Sequence, residues 1–396
     1  MGTEISDDEL LGRVQDLGSQ FPPDSVEART FWGAQFDLGL AWPSFPSGCG
    51  GLGAAPRQQA LVSKALRDLG APTNFPLNPI GLGMVAPVLV ALGSERQTDR
   101  YLRPLFVCDE IWSQLFSEPG AGSDLADLST TATRVGDEWT VNGQKVWTTL
   151  AHRASYGLLL ARSNPELPKH SGLTAFIVDM HAPGVLVRPL RQITGDEEFN
   201  EVFFTDVAVP DHNRIGDVGG GWSVALTTLM NERVAIAEKS GMIGGSSIAR
   251  ALADWEQAQP SRKTPHMRDR LAQLYIDAEC ARLTKVRAAA NRKRGVPGPE
   301  DSVGKALSGP LSQRVAEFCL DLAGSGGTII STYDPDEIRA AGRTRDIARA
   351  FLRSRANTIE GGTSEILKNI IGERVLGLPP EPRSDKDIPW KDIRRA

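Results

Sequence analysis

FSEPGAGSDLAD, Phe116 to Asp127, sets a proline and two glycines between an apolar start and an acidic end. A Pro-Gly-Ala-Gly-Ser run can turn consecutive backbone N–H groups toward an anion, because glycine lets the chain bend closely around a phosphate. Alone, the run is compatible with phosphate contact or with an ordinary surface loop. It matches neither Walker nor Rossmann glycine spacing, so ATP and nicotinamide sites are not indicated. What surrounds it decides between the readings.

Upstream, from Asp7 to about Cys108, the chain reads as helical. RQQALVSKALRDLGAP repeats apolar residues at helical spacing and stops at Gly70 and Pro72. PVLVALGSERQTDRYLRPLF is two helices separated by a Gly-Ser break. Downstream, TTATRVGDEWTVNGQKVWTT alternates polar and apolar residues, with turn signals at Gly136-Asp137 and Asn142-Gly143. LTAFIVDM, GVLVRPL and EVFFTDVAVP follow as further strands. Helical periodicity returns after GDVGGGW and continues to NIIGERVLG. The expectation is an α+β chain: an N-terminal helical domain over 1–112, an antiparallel β-domain over 113–217 and a C-terminal helical bundle over 218–378. A polar tail with four prolines over 379–396 is expected to be poorly ordered.

Composition narrows the function classes. At 396 residues, two or three subdomains are expected. A net charge of -5 offers no broad basic surface, which argues against nucleic acid as the main partner. The acidic start, MGTEISDDEL, lacks the apolar core of a secretory signal. No uncharged apolar run approaches the roughly 18 residues of a membrane span. Cys49, Cys108, Cys280 and Cys319 lack metal-type spacing and are expected as small buried apolar residues in a reducing cytoplasm. The five histidines are not paired at ligand spacing, so no metal is expected.

SEPGAGSD entering a β-domain, QKVWTT within it and GGTSEI near the end together resemble the acyl-CoA dehydrogenase family. The resemblance covers nearly the whole chain, with the three domains in the family's order. It implies an FAD cofactor, an acyl-CoA substrate and an electron-transfer flavoprotein as acceptor. Phe116 and Ser117 would contact the flavin ring. Ser123 would meet both the FAD pyrophosphate and CoA. Trp147 would pack on the isoalloxazine, with Thr148 beside it and Thr149 bonding near flavin N5. Without that context, Trp147 reads as a cross-strand aromatic covering the sheet. Thr363, Ser364 and Glu365 match the segment reaching FAD from the C-terminal domain. Met230, Asn231, Arg233, Gly361 and Gly362 would join Ser123 around the substrate.

Removing hydrogen from two adjacent carbons needs a base for the α-proton and an acceptor for the β-hydride, which no side chain can supply. In many family members the base immediately precedes GTS. Here IEGGTSEI puts Gly361 there, with Glu360 one residue earlier. On a helix, a one-residue shift turns the side chain by about 100°. A second family pattern places the base on the first long C-terminal helix, where LMNERVAIA puts Glu232 followed by Arg233. Glycine at 361 then leaves room for a carboxylate from that helix. The reading assigns the base to Glu232, with Glu360 as the alternative base, or more simply as a pocket-lining group or a partner to a cation.

Two segments depart from the family. SRKTPHMRDRLAQ keeps Arg262 but has Pro265 and His266 where members that close the FAD site across subunits carry Phe-Gly. LDLAGSGG has Asp321 where an adenine-binding Gln is usual. These departures favour an α2β2 heterotetramer with a related chain over a homotetramer or homodimer. A flavin oxidase of the same fold, or a non-catalytic subunit completing another chain's FAD site, remain as alternatives, and the acyl group is open.

Overall fold

The computed structural model describes residues 5–240, 243–293, 300–330, 332, 334, 346–382 and 385–393, giving the backbone alone for 232–240, 243–247, 292–293 and 300–301. The chain forms two compact units, one from Met1–Pro189, Glu198–Asn231 and Asp385–Ala396, the other from Leu190–Glu197 and Glu232–Ser384. Among the described residues no helix is long and apolar enough to cross a membrane.

The first unit begins with five helices: α1 (Asp7–Gln20), α2 (Ala28–Asp37), α3 (Pro56–Asp68), α4 (Ala86–Leu92) and α5 (Glu95–Phe106). Ser6 caps α1 by accepting from Glu9 N at 3.1 Å, and Asp7, Asp8 and Glu9 complement the dipole. The helix buries Leu10, Val14 and Leu17, spaced four and three apart on one face. Ser94 and Gln97 form a reciprocal capping box at the Gly-Ser break, and Gln97 Nε2 also donates to His212 O and Arg214 O.

Eight strands follow: β1 (Trp112–Leu115), β2 (Thr131–Val135), β3 (Glu138–Thr149), β4 (Tyr156–Arg162), β5 (Leu173–Asp179), β6 (Val185–Leu190), β7 (Phe199–Pro210) and β8 (Arg214–Ile215). They pair in the order β6-β7-β3-β2-β4-β5-β8, with β1 on β4. The sheet is not wholly antiparallel, as the alternation suggested. β1 runs parallel to β4 along four residues, and β2 meets β4 in parallel at Thr131 and Arg162. β4 and β5 are apolar almost throughout because both faces are covered. Leu158, Leu160, Ala175 and Ile177 join the helices in one core, while Leu159, Ala161, Phe176 and Val178 join Trp139 and Phe204 in another.

Gly136-Asp137 makes the two-residue β2–β3 turn, with Gly136 at φ +63°. Asn142-Gly143 does not turn; it lies inside β3, where the β3–β7 register shifts between Val141 and Gly143. Asp206 stands opposite at φ +51°, its N–H bonded to Asn142 Oδ1 at 2.8 Å. A second shift falls between Lys145 and Thr148, at Trp147 with φ +60°. The two shifts are opposite in sense, so Thr148↔Asn200 returns to the register of Val141↔Val207. Of the pair, Gly143 alone has positive φ, +150°, and it serves a bulge rather than a hairpin.

A Cβ at Gly143 would stand 2.5 Å from Thr130 Oγ1 and 2.7 Å from Thr130 Cα. Gly143→Ala is therefore expected to cost about 1–3 kcal/mol in urea unfolding. An unchanged midpoint would show that the sheet absorbs the methyl.

In the second unit, α9 (Glu300–Ala323) packs against α7 (Ile243–Gln257), α8 (Pro265–Lys293), α10 (Ile347–Ser354) and α11 (Ser364–Arg374). Ile248, Leu271, Leu274, Leu311, Val315 and Phe318 form its core. The helix α6 (Gly221–Ser240) contributes residues to both units. Two expectations are corrected. Cys280 is exposed on α8, whereas Cys108 and Cys319 are buried. Within the supposed loose tail, residues 385–393 lie ordered against the first unit, held by Lys169 on Asp385 and by Trp390 on Arg162.

Candidate active site

The glycine-rich stretch runs from β1 to β2. Its start is pinned by a buried ion pair: Glu118 Oε1 lies 2.8 Å from Lys145 Nζ, and that ammonium also donates to Phe116 O at 2.9 Å. Ser129 N, Ser129 Oγ and Thr130 N complete the shell of Glu118 at 2.7–2.8 Å. Burial alone would raise this carboxyl, but Lys145 and these donors hold it down at about 2. Burial pulls the Lys145 ammonium down to about 8 against the attraction of Glu118, so the pair is charged at neutral pH.

Beyond the pinned start, Glu118 and Ala121 exchange both backbone bonds across a tight turn. Gly120, Gly122 and Ser123 are exposed, and a Cβ at either glycine would meet nothing within 4 Å. The loop thus presents open backbone at the positions a phosphate would approach. Phe116 is buried, Ser117 is half-buried, and Ser117 O accepts from Val146 N at 2.9 Å.

Trp147 is 61% exposed in its left-handed bulge, touching Phe199 edge-on at 5.9 Å. A large aromatic held in an unfavourable backbone region at the surface fits a ring-stacking face better than a sheet cover. Thr149 is half-buried, and its carbonyl accepts from Ser113 Oγ at 3.1 Å. Thr148 is fully buried and its hydroxyl donates to Asn200 O at 2.7 Å. Asn200 Nδ2 returns a bond to Thr148 O at 2.9 Å, so this threonine staples the bulged strand.

In the second unit, Gly361 and Gly362 have φ +63° and +97° and lead into α11. Thr363 caps that helix through Ile366 N at 3.2 Å, with Ser364 at its start and exposed Glu365 in its first turn. The arrangement leaves a glycine-lined helix N-terminus. Immediately before it, Arg353 grips Glu360 in a bidentate pair at 3.0 and 2.9 Å. Of the expected groups on α6, Met230 is 64% exposed, while Asn231 donates to Thr227 O at 2.9 Å. The side chains of Glu232 and Arg233 lie outside the described residues; their backbone is helical.

The two divergent segments are joined. Arg270 Nη1 donates to Asp321 Oδ2 at 2.9 Å, and the Arg262 guanidinium lies against Gly324, where a Cβ would stand 2.2 Å from Nη2.

Sequence models of the acyl-CoA dehydrogenase N-terminal, middle and C-terminal domains match residues 6–107, 113–207 and 219–376. The chain belongs to the acyl-CoA dehydrogenase family. This is a family of FAD-dependent oxidoreductases. The chain is 39% identical to acyl-CoA dehydrogenase FadE34 of Mycobacterium tuberculosis over 347 residues, 87% of this chain but 45% of that protein. It therefore spans less than half the length of that relative. The solved Tcur3481-Tcur3483 steroid ACAD superposes with a TM-score of 0.74 at 26% identity, covering 95% of this chain and 98% of that one. The Mycobacterium tuberculosis ChsE4-ChsE5 complex gives 0.71 at 26%, covering 96% and 100%.

Sequence reasoning overlooked Glu118, Lys145 and Asn200. Lys145 offered a signal: a lysine inside the strand VNGQKVW, among inward-facing positions, requires a buried partner.

Proposed function

We propose that this chain catalyses α,β-dehydrogenation of an acyl-CoA thioester, with Glu232 as the base. The observation that carries the reading is the bidentate grip of Arg353 on Glu360 beside side-chain-free Gly361. Both oxygens of Glu360, the carboxylate just ahead of the Gly361-Gly362 pair, are engaged, which favours the α6 glutamate as proton acceptor. Phe116, Ser117, Ser123, Trp147 and Thr149 would hold FAD, as would Thr363, Ser364 and Glu365; the exposed Trp147 ring and the open backbone at Gly120 and Gly122 fit such a group. When bound, FAD supplies the hydride acceptor, and its electrons leave to an electron-transfer flavoprotein. Ser123, Met230, Asn231, Arg233, Gly361 and Gly362 would contact the acyl-CoA substrate.

We further propose an α2β2 assembly with a related chain in the cytoplasm. The Arg270–Asp321 pair engages the residue standing where an adenine-binding glutamine is usual, so the adenine end needs contacts from elsewhere. The ChsE4-ChsE5 structure is itself named as a complex of two chains. The steroid ACAD neighbour favours a steroid side-chain thioester alongside fatty acyl-CoAs in a substrate panel.

Expression alone and with the partner, followed by absorption spectra under anaerobic acyl-CoA addition, tests both parts. The chain alone should be flavin-poor; the co-expressed complex should be yellow and bleach with its acyl-CoA. Turnover that requires NAD and no flavin would end the enzymatic reading. A fully flavinated homotetramer of this chain alone would end the heteromeric one.

A further inference from the structure

Three segments of the first unit meet beside the glycine-rich loop: residues 124–128 of the loop's exit, the β4–β5 connection and residues 385–393. Lys169 Nζ, nearly buried, bridges Asp124 Oδ2 and Asp385 Oδ2 at 2.6 Å each. Arg162, buried at the end of β4, donates to Ala126 O at 2.5 Å, Leu128 O at 3.1 Å and Lys169 O at 2.7 Å. The Trp390 ring lies over that guanidinium at 4.5 Å, and its Nε1 donates to Asp127 O at 3.4 Å. Main-chain bonds run from Trp390 N to Leu167 O and from Lys391 N to Pro165 O, and Lys391 pairs with Glu166.

We infer that residues 385–393 are a positioning strap for the glycine-rich loop, fixing its exit so that the backbone of 120–123 is held ready for an anionic ligand. The inference rests on reading that loop as the phosphate-contacting part of the FAD and CoA site. The loop's entrance is already fixed by Glu118 and Lys145, and the strap fixes the other end. Between them, the glycines contribute no side-chain contacts of their own. An unrestrained glycine loop loses much backbone freedom on binding, and a pre-ordered one loses less. Asp385, Trp390, Lys169 and Arg162 act through the loop and are positioning residues.

The test compares Trp390→Ala, Trp390→Phe and Asp385→Asn with the unaltered chain, each as the holoenzyme with any required partner. Amide hydrogen exchange over 119–128 should quicken roughly tenfold in Trp390→Ala and measurably in Asp385→Asn, while β3 keeps its protection. KM for acyl-CoA should rise roughly five- to tenfold with kcat within about twofold, because ground-state and transition-state binding weaken together. Trp390→Phe, which keeps a ring over Arg162, should restore most of both. If Trp390→Ala does not fold, Asp385→Asn, at a partly exposed position, decides alone. Unchanged exchange over 119–128, or a loss of protection spread evenly through the sheet, overturns the strap. Because exchange needs no turnover, a chain inactive on every acyl-CoA would count against the proposed activity and leave the strap to be judged on exchange.

Discussion

Glu232→Gln is expected to keep FAD and acyl-CoA binding and to slow flavin bleaching by roughly 10²–10⁴-fold, the usual contribution of a positioned general base. The amide keeps the shape of the side chain but cannot accept the α-proton, so the loss falls on the chemical step. Glu360→Gln is expected to retain most of the rate. Its carboxylate is engaged by Arg353 through both oxygens, and the half-exposed pair contributes no more than about 1 kcal/mol to stability. Rapid-mixing measurements on both variants with one acyl-CoA separate the two glutamates. A dead Glu360→Gln beside a normally active Glu232→Gln would move the base to Glu360.

The largest expected stability change is at Glu118. Glu118→Gln leaves the Lys145 ammonium buried without its carboxylate, a loss of about 3–5 kcal/mol at neutral pH. Removing both charges in Glu118→Gln/Lys145→Met should recover much of it, since the desolvation penalty disappears with them. The pH dependence follows from the direction of the shift. The folded carboxyl sits at about 2, below its ordinary value of 4.5, so its stabilisation is present above pH 4.5 and drains away as pH falls toward 2. Urea midpoints of the unaltered chain and Glu118→Gln should therefore converge over that window. Equal midpoints at pH 7 would show that the pair contributes nothing to folding.

How far the molecule could be read from its sequence depended on whether a feature was local. Gly136-Asp137, the Gly-Ser break capped by Ser94 and the apolar run of β5 are set by neighbouring residues, and the fold follows from them. Asn142-Gly143 shows where local reading stops. It carries the same backbone preference as a hairpin turn, but β7 pairs with β3 on both sides of it across a bulge, so tertiary pairing decides. Thr148 shared its motif with Trp147 and Thr149, yet strand alternation buries it. The strap could not be read at all, because Trp390 meets Arg162 and Asp127 across more than 200 residues of chain. Glu360 was the opposite case: a carboxylate expected to pair with a cation if it is not the base does pair with one, seven residues away.

The paired bulges of β3 and β7 carry a consequence for descent. Asp206 is the surplus residue on one strand and Trp147 the surplus on the other, and each cancels the other's offset. Losing either alone would slip the strand beyond it by one residue and turn its side chains to the wrong face. An insertion or deletion near 147 is thus tolerable only with a matching one near 206, so the two places are bound to gain or lose residues together in any lineage that keeps this sheet.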